Sequence, residues 1–494
     1  MALVFDDVET VVFVGGRGSK AGDANAGGGA SRSAWKDSQG LNKTLANVMG
    51  ANGEPLSASG AWGGSGNACN VTNNGSGYCR ISATGYGFFS NCKVGLIANV
   101  NFAATYADGR YRVIAVDGSN GDWIDILENH SSDTTCDVKV GGAFDNLQRA
   151  LDNSNAGTYS VWIYTNKGET LAASIDCDVG EGSNSDNAWK RVIGIDDNGD
   201  ELTEGSYVDY DGNGGAFNVF TIAINNLEFA HIHAKNATNY SGWGWSGVRY
   251  WTVFRECKSI GCRYGINGGW GGRTVSIAGG YYSSSYEAIR GDDVYGWDIL
   301  GVEVEVTSSY AAIQLLGGTS IRNTVVNGCL ITKNGNGCGV YTALGTTVVK
   351  NTTMYKVADG IEINEPDAGI VQYNNVIVVA AKATGKAIKR TSGSIVYSDY
   401  ACLWATDGAP AASGRWGGVG KPTHAIEQNP VFKDAGGGDF SLQSNSPCID
   451  AGRSALEGGF TTMGCWQATQ TQQGGVGFMR QGRQANLARL QIIR

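Results

Sequence analysis

The chain has 494 residues, of which 75 are glycine and only 6 proline, with 13 Trp, 21 Tyr and 14 Phe and a net charge of −9. Glycine without a triplet repeat or abundant proline excludes collagen, and the aromatic content excludes a disordered chain. The acidic balance argues against a protein that wraps nucleic acid, whereas many glycines among β-formers fit short strands joined by tight turns.

Residues 1–77 read as a glycine-rich arm that makes subunit contacts. The short hydrophobic strand Val11–Val14 runs into Gly15-Gly16-Arg17-Gly18-Ser19-Lys20. That stretch lacks the spacing and the closing Gly-Lys-Ser/Thr of a phosphate loop. The first residues show no basic and apolar leader pattern, and no apolar run is long enough to span a bilayer, so neither export nor membrane insertion is expected. The 12 cysteines are scattered without a CxxC pair. They are expected to be mostly reduced and buried as small hydrophobes, with disulfides open to a chain that meets an oxidising medium, and no structural metal or cofactor is expected.

Residues 78–142 read as a small β module. Asp108-Gly109 and Asp117-Gly118 sit between alternating apolar runs, which is a hairpin signal. The stretch ADGRYRVIAVDGSNGDWIDI, residues 107–126, resembles the small β-barrel modules of bacteriophage tail and head proteins. Phe144, Leu147, Ala150 and Leu151 then fall at helical spacing, with Asp145 near the start. This predicts one amphipathic helix of two or three turns that caps a repeating region.

That region, residues 143–425 with the helix at its start, carries a period of about two dozen residues. A small residue precedes a β-branched one at Gly265-Ile266, Ala288-Ile289, Ala312-Ile313, Gly339-Val340, Gly360-Ile361 and Ala387-Ile388, in steps of 23, 24, 27, 21 and 27. Asn327, Asn351 and Asn374 form a second series, each followed three positions later by Leu330, Met354 or Ile377. Short segments rich in Val, Ile, Thr and Tyr at such a period predict strands stacked in a parallel β-helix solenoid, an all-β fold, with equivalent residues roughly 4.8 Å apart. The three asparagines are expected to form a ladder of side-chain amides inside it.

Residues 426–494 read as a C-terminal cap and a basic tail. NPVFKDAGGGDFSLQSNSPCIDAG, residues 429–452, followed by MGCWQ at 463–467, resembles the closing segment of pectate-lyase-like right-handed β-helix proteins. The motif is specific to that architecture and to no activity. Beyond Gly474 the tail holds Arg480, Arg483, Arg489 and Arg494 with no acid, which suits docking on an acidic neighbour.

Candidate chemistry is sparse. Asp292-Asp293 resembles the paired aspartates of polygalacturonase-like hydrolases, but the accompanying Asn-x-Asp and Gly-His-Gly patterns are missing, so a turn whose aspartates cap backbone amides is expected instead. Lyases of this architecture use calcium-binding acids; Glu303, Glu305, Glu362 and Glu365 are available, with nothing in the sequence fixing them to one face. His231 and His233 alternate on a strand without a third ligand and are expected on a solvated face. Tyr240, Trp243, Trp245, Tyr250 and Trp251 are the densest aromatic cluster, open to sugar stacking, a core corner or a subunit interface.

The phage-like module, the missing leader pattern, the glycine-rich arm and the basic tail point to a bacteriophage virion component, carried on the head or tail surface and made in the host cytoplasm, and the incomplete catalytic pattern makes a non-enzymatic structural protein the expectation. Its expected partners are other virion proteins, further copies of itself as in the trimers common to such β-helices, and a host surface glycan. The alternative is a tailspike-like polysaccharide depolymerase, a hydrolase or a lyase.

Overall fold

The computed structural model describes the strands 10–14, 34–36, 42–44 and 56–58 and the segments 69–74, 76, 78–83, 89, 97–102, 109–126, 134–140, 143–144, 147–153, 161–166, 168–178, 189–195, 201–238, 242–269, 274–292, 296–316, 324–343, 346–364, 370–390, 395–408, 415–417, 420–453 and 460–465. Most of the glycine-rich segment, the basic tail, Glu365, Asp293 and Tyr240 lie outside the described residues. The chain is all-β with one short helix, and its dominant element is a parallel β-solenoid of about seven turns. It divides into two compact units, the first holding 1–169, 175–210 and 226–232, the second 170–174, 211–225 and 233–494. No helix among the described residues is long and apolar enough to cross a membrane.

The first unit contains the small β module. Its antiparallel strands run in the spatial order Leu56–Ala58, Thr134–Val140, Cys69–Asn73, Cys79–Ser82, Trp123–Ile126, Gly109–Val116, Ile97–Phe102. Thr134–Val140 also pairs with Ile97–Phe102, which closes the sheet into a small barrel. Val71, Ile81, Val113, Ile124 and Ile126 fill it and are fully buried. Asp117 shapes the turn between Gly109–Val116 and Trp123–Ile126. Its carboxylate accepts from the Ser119 hydroxyl and amide and from the Asn120 and Asp122 amides, which lowers its pKa to about 2. On the barrel wall, Asp125 takes two bonds from Arg80, at 2.7 and 2.9 Å, while the guanidinium lies 3.6 Å from the Trp123 ring centroid.

Two boundaries differ from the sequence expectation. The barrel recruits Leu56–Ala58 and Cys69–Asn73, so it begins well before residue 78. Thr10–Val14 is no detached arm: it pairs in parallel with Val161–Thr165 and Ala143–Phe144. Its run of four apolar residues matches a strand that joins a parallel sheet. The helix is Leu147–Asn153, about two turns as the spacing suggests, except that Phe144 belongs to the strand Ala143–Phe144. Leu147, Ala150 and Leu151 are its buried stripe. It packs on strands 10–14, 161–165 and 175–177, and Gln148 clamps the Asp176 backbone with one bond each way.

The second unit is built of coils, each with three strands. One coil reads Val275–Ala278, a tight corner at Gly279-Gly280, Tyr281–Ser284, then Ile289–Asp292. Every strand pairs in parallel with its equivalent one coil on. The inward column of the third sheet is Ile266, Ile289, Ile313, Val340, Ile361 and Ile388, in register throughout and buried. These are the β-branched members of the repeat. At the glycine positions a close approach excludes a side chain: a Cβ on Gly265 would stand 2.2 Å from the Ala288 carbonyl oxygen, and one on Gly360 2.5 Å from that of Ala387.

The corner between the first two strands of each coil is left-handed. Glu256, Gly279, Gly301, Gly328, Asn351, Asn375 and Tyr400 have φ between 49° and 70°. Glycine and asparagine adopt that conformation at least cost, which explains why they hold five of these seven positions. The asparagine ladder runs along this corner. Asn351 Nδ2 donates to Asn327 Oδ1 at 2.9 Å, and Asn375 Nδ2 donates to Asn351 Oδ1 at 3.1 Å. The third rung is therefore Asn375 and not Asn374. Asn374 aligns with Asn327 and Lys350 in the strand register, one residue short of the corner. The ladder also sits at a partly buried edge of the coil rather than inside it.

After the last coil, the hairpin of Phe432–Asp434 and Asp439–Leu442 folds back onto the solenoid. Leu442, Cys448 and Met463 join Ile377, Val379 and Cys402 in one buried cluster. Ile377 and Cys402 continue the outward side of the second sheet, in register with Glu303, Leu330 and Thr353, so the C-terminal segment covers that face from outside.

Candidate functional site

The third sheet of the second unit presents an ordered outward row. Strand register aligns Asn267, Arg290, Gln314, Tyr341, Glu362 and Lys389, one per coil. Alternation forces this: their neighbours Ile266 to Ile388 point inward. Within the row, Lys389 Nζ lies 2.8 Å from Glu362 Oε1, and Asn364 donates to the Tyr341 hydroxyl at 2.9 Å. Arg290 Nε lies 3.1 Å from Asp292 and its Nη1 3.5 Å from Glu287.

Burial sets the protonation of the groups around this row. Glu287 is 2 % exposed, and desolvation raises its pKa against the pull of Arg290. Burial works against the Arg290 charge, but Asp292 and Glu287 outweigh it and raise its pKa. The Glu362 bond raises Lys389. Lys333 is 5 % exposed; burial lowers its pKa to about 8, although it donates to the Tyr310 carbonyl at 2.6 Å.

Beside the row runs an aromatic column. Trp243 stacks on Tyr264 with ring centroids 3.8 Å apart, Tyr264 meets Tyr286 edge-on at 5.2 Å, and Tyr286 stacks on Tyr310 at 4.1 Å. Arg263 lies 4.4 Å from the Tyr286 ring centroid. Most ring faces are thus spent on one another and on the guanidinium, and what the column offers outward is ring edges and hydroxyls. The Tyr286 hydroxyl donates to that of Tyr310 at 2.9 Å. Tyr310, at 44 % exposed, ends the stacked run.

The sequence cluster is only partly brought together here. Trp243 leads the column. Trp245 is fully buried, stacked on Phe220 and edge-on to Phe254 and Tyr282, so it is a core residue and not a sugar platform. Tyr250 and Trp251 form a tilted pair of their own, with Trp251 at φ 52°. Tyr264, Tyr286 and Tyr310 were not singled out from sequence. Their signal is phase: each lies two or three positions before the aliphatic member of the repeat, at Ile266, Ile289 and Ile313.

The acids are also redistributed. Asp292 closes the strand Ile289–Asp292 and pairs with Arg290, instead of capping a turn. His231 and His233 are 4 % and 8 % exposed, not on a solvated face, because His231 turns a left-handed corner at φ 56° and lies 3.4 Å from Glu201. Among the described residues no group of three or more His, Cys, Asp or Glu could hold a metal. Glu303 and Glu305 share the outward side of one strand and line a cleft of about 350 Å³ under the C-terminal hairpin, with Tyr281, Tyr355 and Phe440. There the Tyr281 hydroxyl donates to Glu305, and burial together with that bond raises its pKa to about 12. The chain matches no protein-family model and no curated protein.

Proposed function

We propose that this chain is a non-enzymatic structural protein of a bacteriophage particle whose third-sheet face contacts a surface glycan. The observation that carries the glycan contact is the in-register row beside the tyrosine column. Amide, hydroxyl, guanidinium and carboxylate groups recur at the coil rise of about 4.8 Å, a spacing on which successive sugars of an extended chain can place their hydroxyls. The row's charges are largely matched pairwise, Arg290 with Asp292 and Glu287, Lys389 with Glu362. That favours a neutral or weakly charged glycan over a polyanion. The virion setting rests on the resemblance of residues 107–126 and 429–452 to phage modules and β-helix closing segments.

The same pairing supports a non-enzymatic reading. Glycoside hydrolysis takes one protonated and one ionised carboxyl flanking the bond, and here the row's carboxylates are engaged by cations. One observation favours the depolymerase alternative: Glu287 is raised by burial beside an Asp292 held by Arg290, an arrangement that can separate acid and base roles. Incubation of the full chain with host polysaccharide, followed by reducing-end and unsaturated-uronate assays, distinguishes the two. The expected outcome is no new chain ends. Turnover by the parent that is abolished in both Glu287→Gln and Asp292→Asn would establish the depolymerase instead.

A further inference from the structure

We propose that Cys69 and Cys136 form a cross-strand disulfide that locks the small barrel when the protein meets an oxidising medium. The two residues are direct partners in the antiparallel pairing of Cys69–Asn73 with Thr134–Val140. Opposed residues of such a pair have Cα atoms about 4.5–5.5 Å apart and side chains on one face of the sheet. A disulfide spans Cα separations of about 4.4–6.8 Å, so the backbone need not move to admit one. Both side chains point into the barrel, at 3 % and 1 % exposed.

The remaining cysteine described in the barrel does not compete. Cys79 opposes Asn73 and Ile126, at the far end of the strand that begins with Cys69. Cys402 and Cys448 share a buried cluster in the second unit, but no strand register sets their approach. The strand carrying Cys136 pairs with Leu56–Ala58, Cys69–Asn73 and Ile97–Phe102, and so it is the seam at which the barrel closes. A bond from Cys136 to Cys69 fastens that seam covalently and closes a loop of the intervening chain.

The oxidant is a low-molecular-weight disulfide. The thiolate of one cysteine attacks it, forming a mixed disulfide and releasing one thiol; the second cysteine attacks the protein-side sulfur and releases the other. Each step transfers one proton to the medium or the leaving thiolate, and in total two protein thiols become one disulfide while the oxidant is reduced to two thiols. Because both sulfurs are buried, exchange proceeds through opening of the barrel or during its folding.

The test uses the full chain, purified under reducing conditions, incubated with oxidised glutathione in mild denaturant and returned to buffer. It is then alkylated, digested without reduction and mapped by mass spectrometry. The expected result is a linked peptide pair joining Cys69 to Cys136 that disappears on dithiothreitol. The oxidised parent should also melt at a higher temperature than the reduced parent, a difference absent from the Cys69→Ala/Cys136→Ala variant. Recovery of both cysteines as alkylated thiols, or of either joined to another cysteine, would overturn the proposal. The mapping needs no variant, so a substitution that impairs folding leaves the test intact.

Discussion

At the scale of single residues, two side chains carry testable energetics. Asn351 both donates to Asn327 and accepts from Asn375, so its amide joins three coils. Asn351→Gly keeps the left-handed corner accessible and deletes only the amide. It should cost about 1–2 kcal/mol in denaturant unfolding, the loss of two partly buried hydrogen bonds. Asn351→Leu should cost more, because a residue with a bulky side chain at φ 49° adds roughly 1–2 kcal/mol of backbone strain. Equal stability of Asn351→Gly and the parent would remove the ladder from the account. Lys333 makes a pH-dependent contribution of known sign. Burial lowers its folded pKa to about 8 from the ordinary 10.5. Between those values the unfolded chain binds the extra proton, so stability rises with pH there and is lost as pH falls through 8. Against Lys333→Met, the parent should gain stability from pH 8 to pH 10 with a slope of at most about 1.4 kcal/mol per pH unit. A parent–variant difference that stays flat over that range would contradict the burial argument.

At the scale of elements, the coil is specified by three kinds of position: an inward aliphatic, a small residue before it, and a left-handed corner. Gly328 has φ 69°, and a Cβ there would meet nothing closer than 3.8 Å. Conformation alone therefore governs that site. Gly328→Asn should change stability by less than about 0.5 kcal/mol, whereas Gly328→Val should cost about 1–3 kcal/mol. Similar melting of the two variants would show that the corner is not held left-handed. The inward and small positions were legible in the sequence, because the pair recurs wherever a strand packs under its neighbour's carbonyl. The corner was only half legible. Asn327 and Asn374 share a strand register with Lys350, so periodicity pointed to Asn374, while the hydrogen bond goes to the residue one step further round the turn. Sequence alone leaves Thr10–Val14 in an arm because its partner, Val161–Thr165, lies far along the chain, and non-local strand pairing leaves no local signal. The helix was legible through its buried Leu147, Ala150 and Leu151, whereas Phe144 belongs to a strand that spacing cannot reveal.

At the scale of the whole molecule, the solenoid converts a sequence period into a surface period. Side chains of different chemistry, from Asn267 to Lys389, become a single row, and tyrosines some two dozen residues apart become one column. Aromatic density alone pointed to residues 240–251, where Trp245 proved to be core; the column was hidden because its members are isolated in sequence and share only a phase. We propose that this face holds a glycan through its hydroxyl and polar edge. The most direct measurement is the affinity of the full chain for host surface polysaccharide, compared with the Tyr286→Phe/Tyr310→Phe double variant. Those changes keep the stacked rings and remove only hydroxyls. The parent should bind, and the variant should bind at least about tenfold more weakly, since two hydrogen bonds of about 1 kcal/mol each are lost, with an unchanged melting temperature. A parent that does not bind, or a variant that binds as tightly as the parent, would contradict the claim.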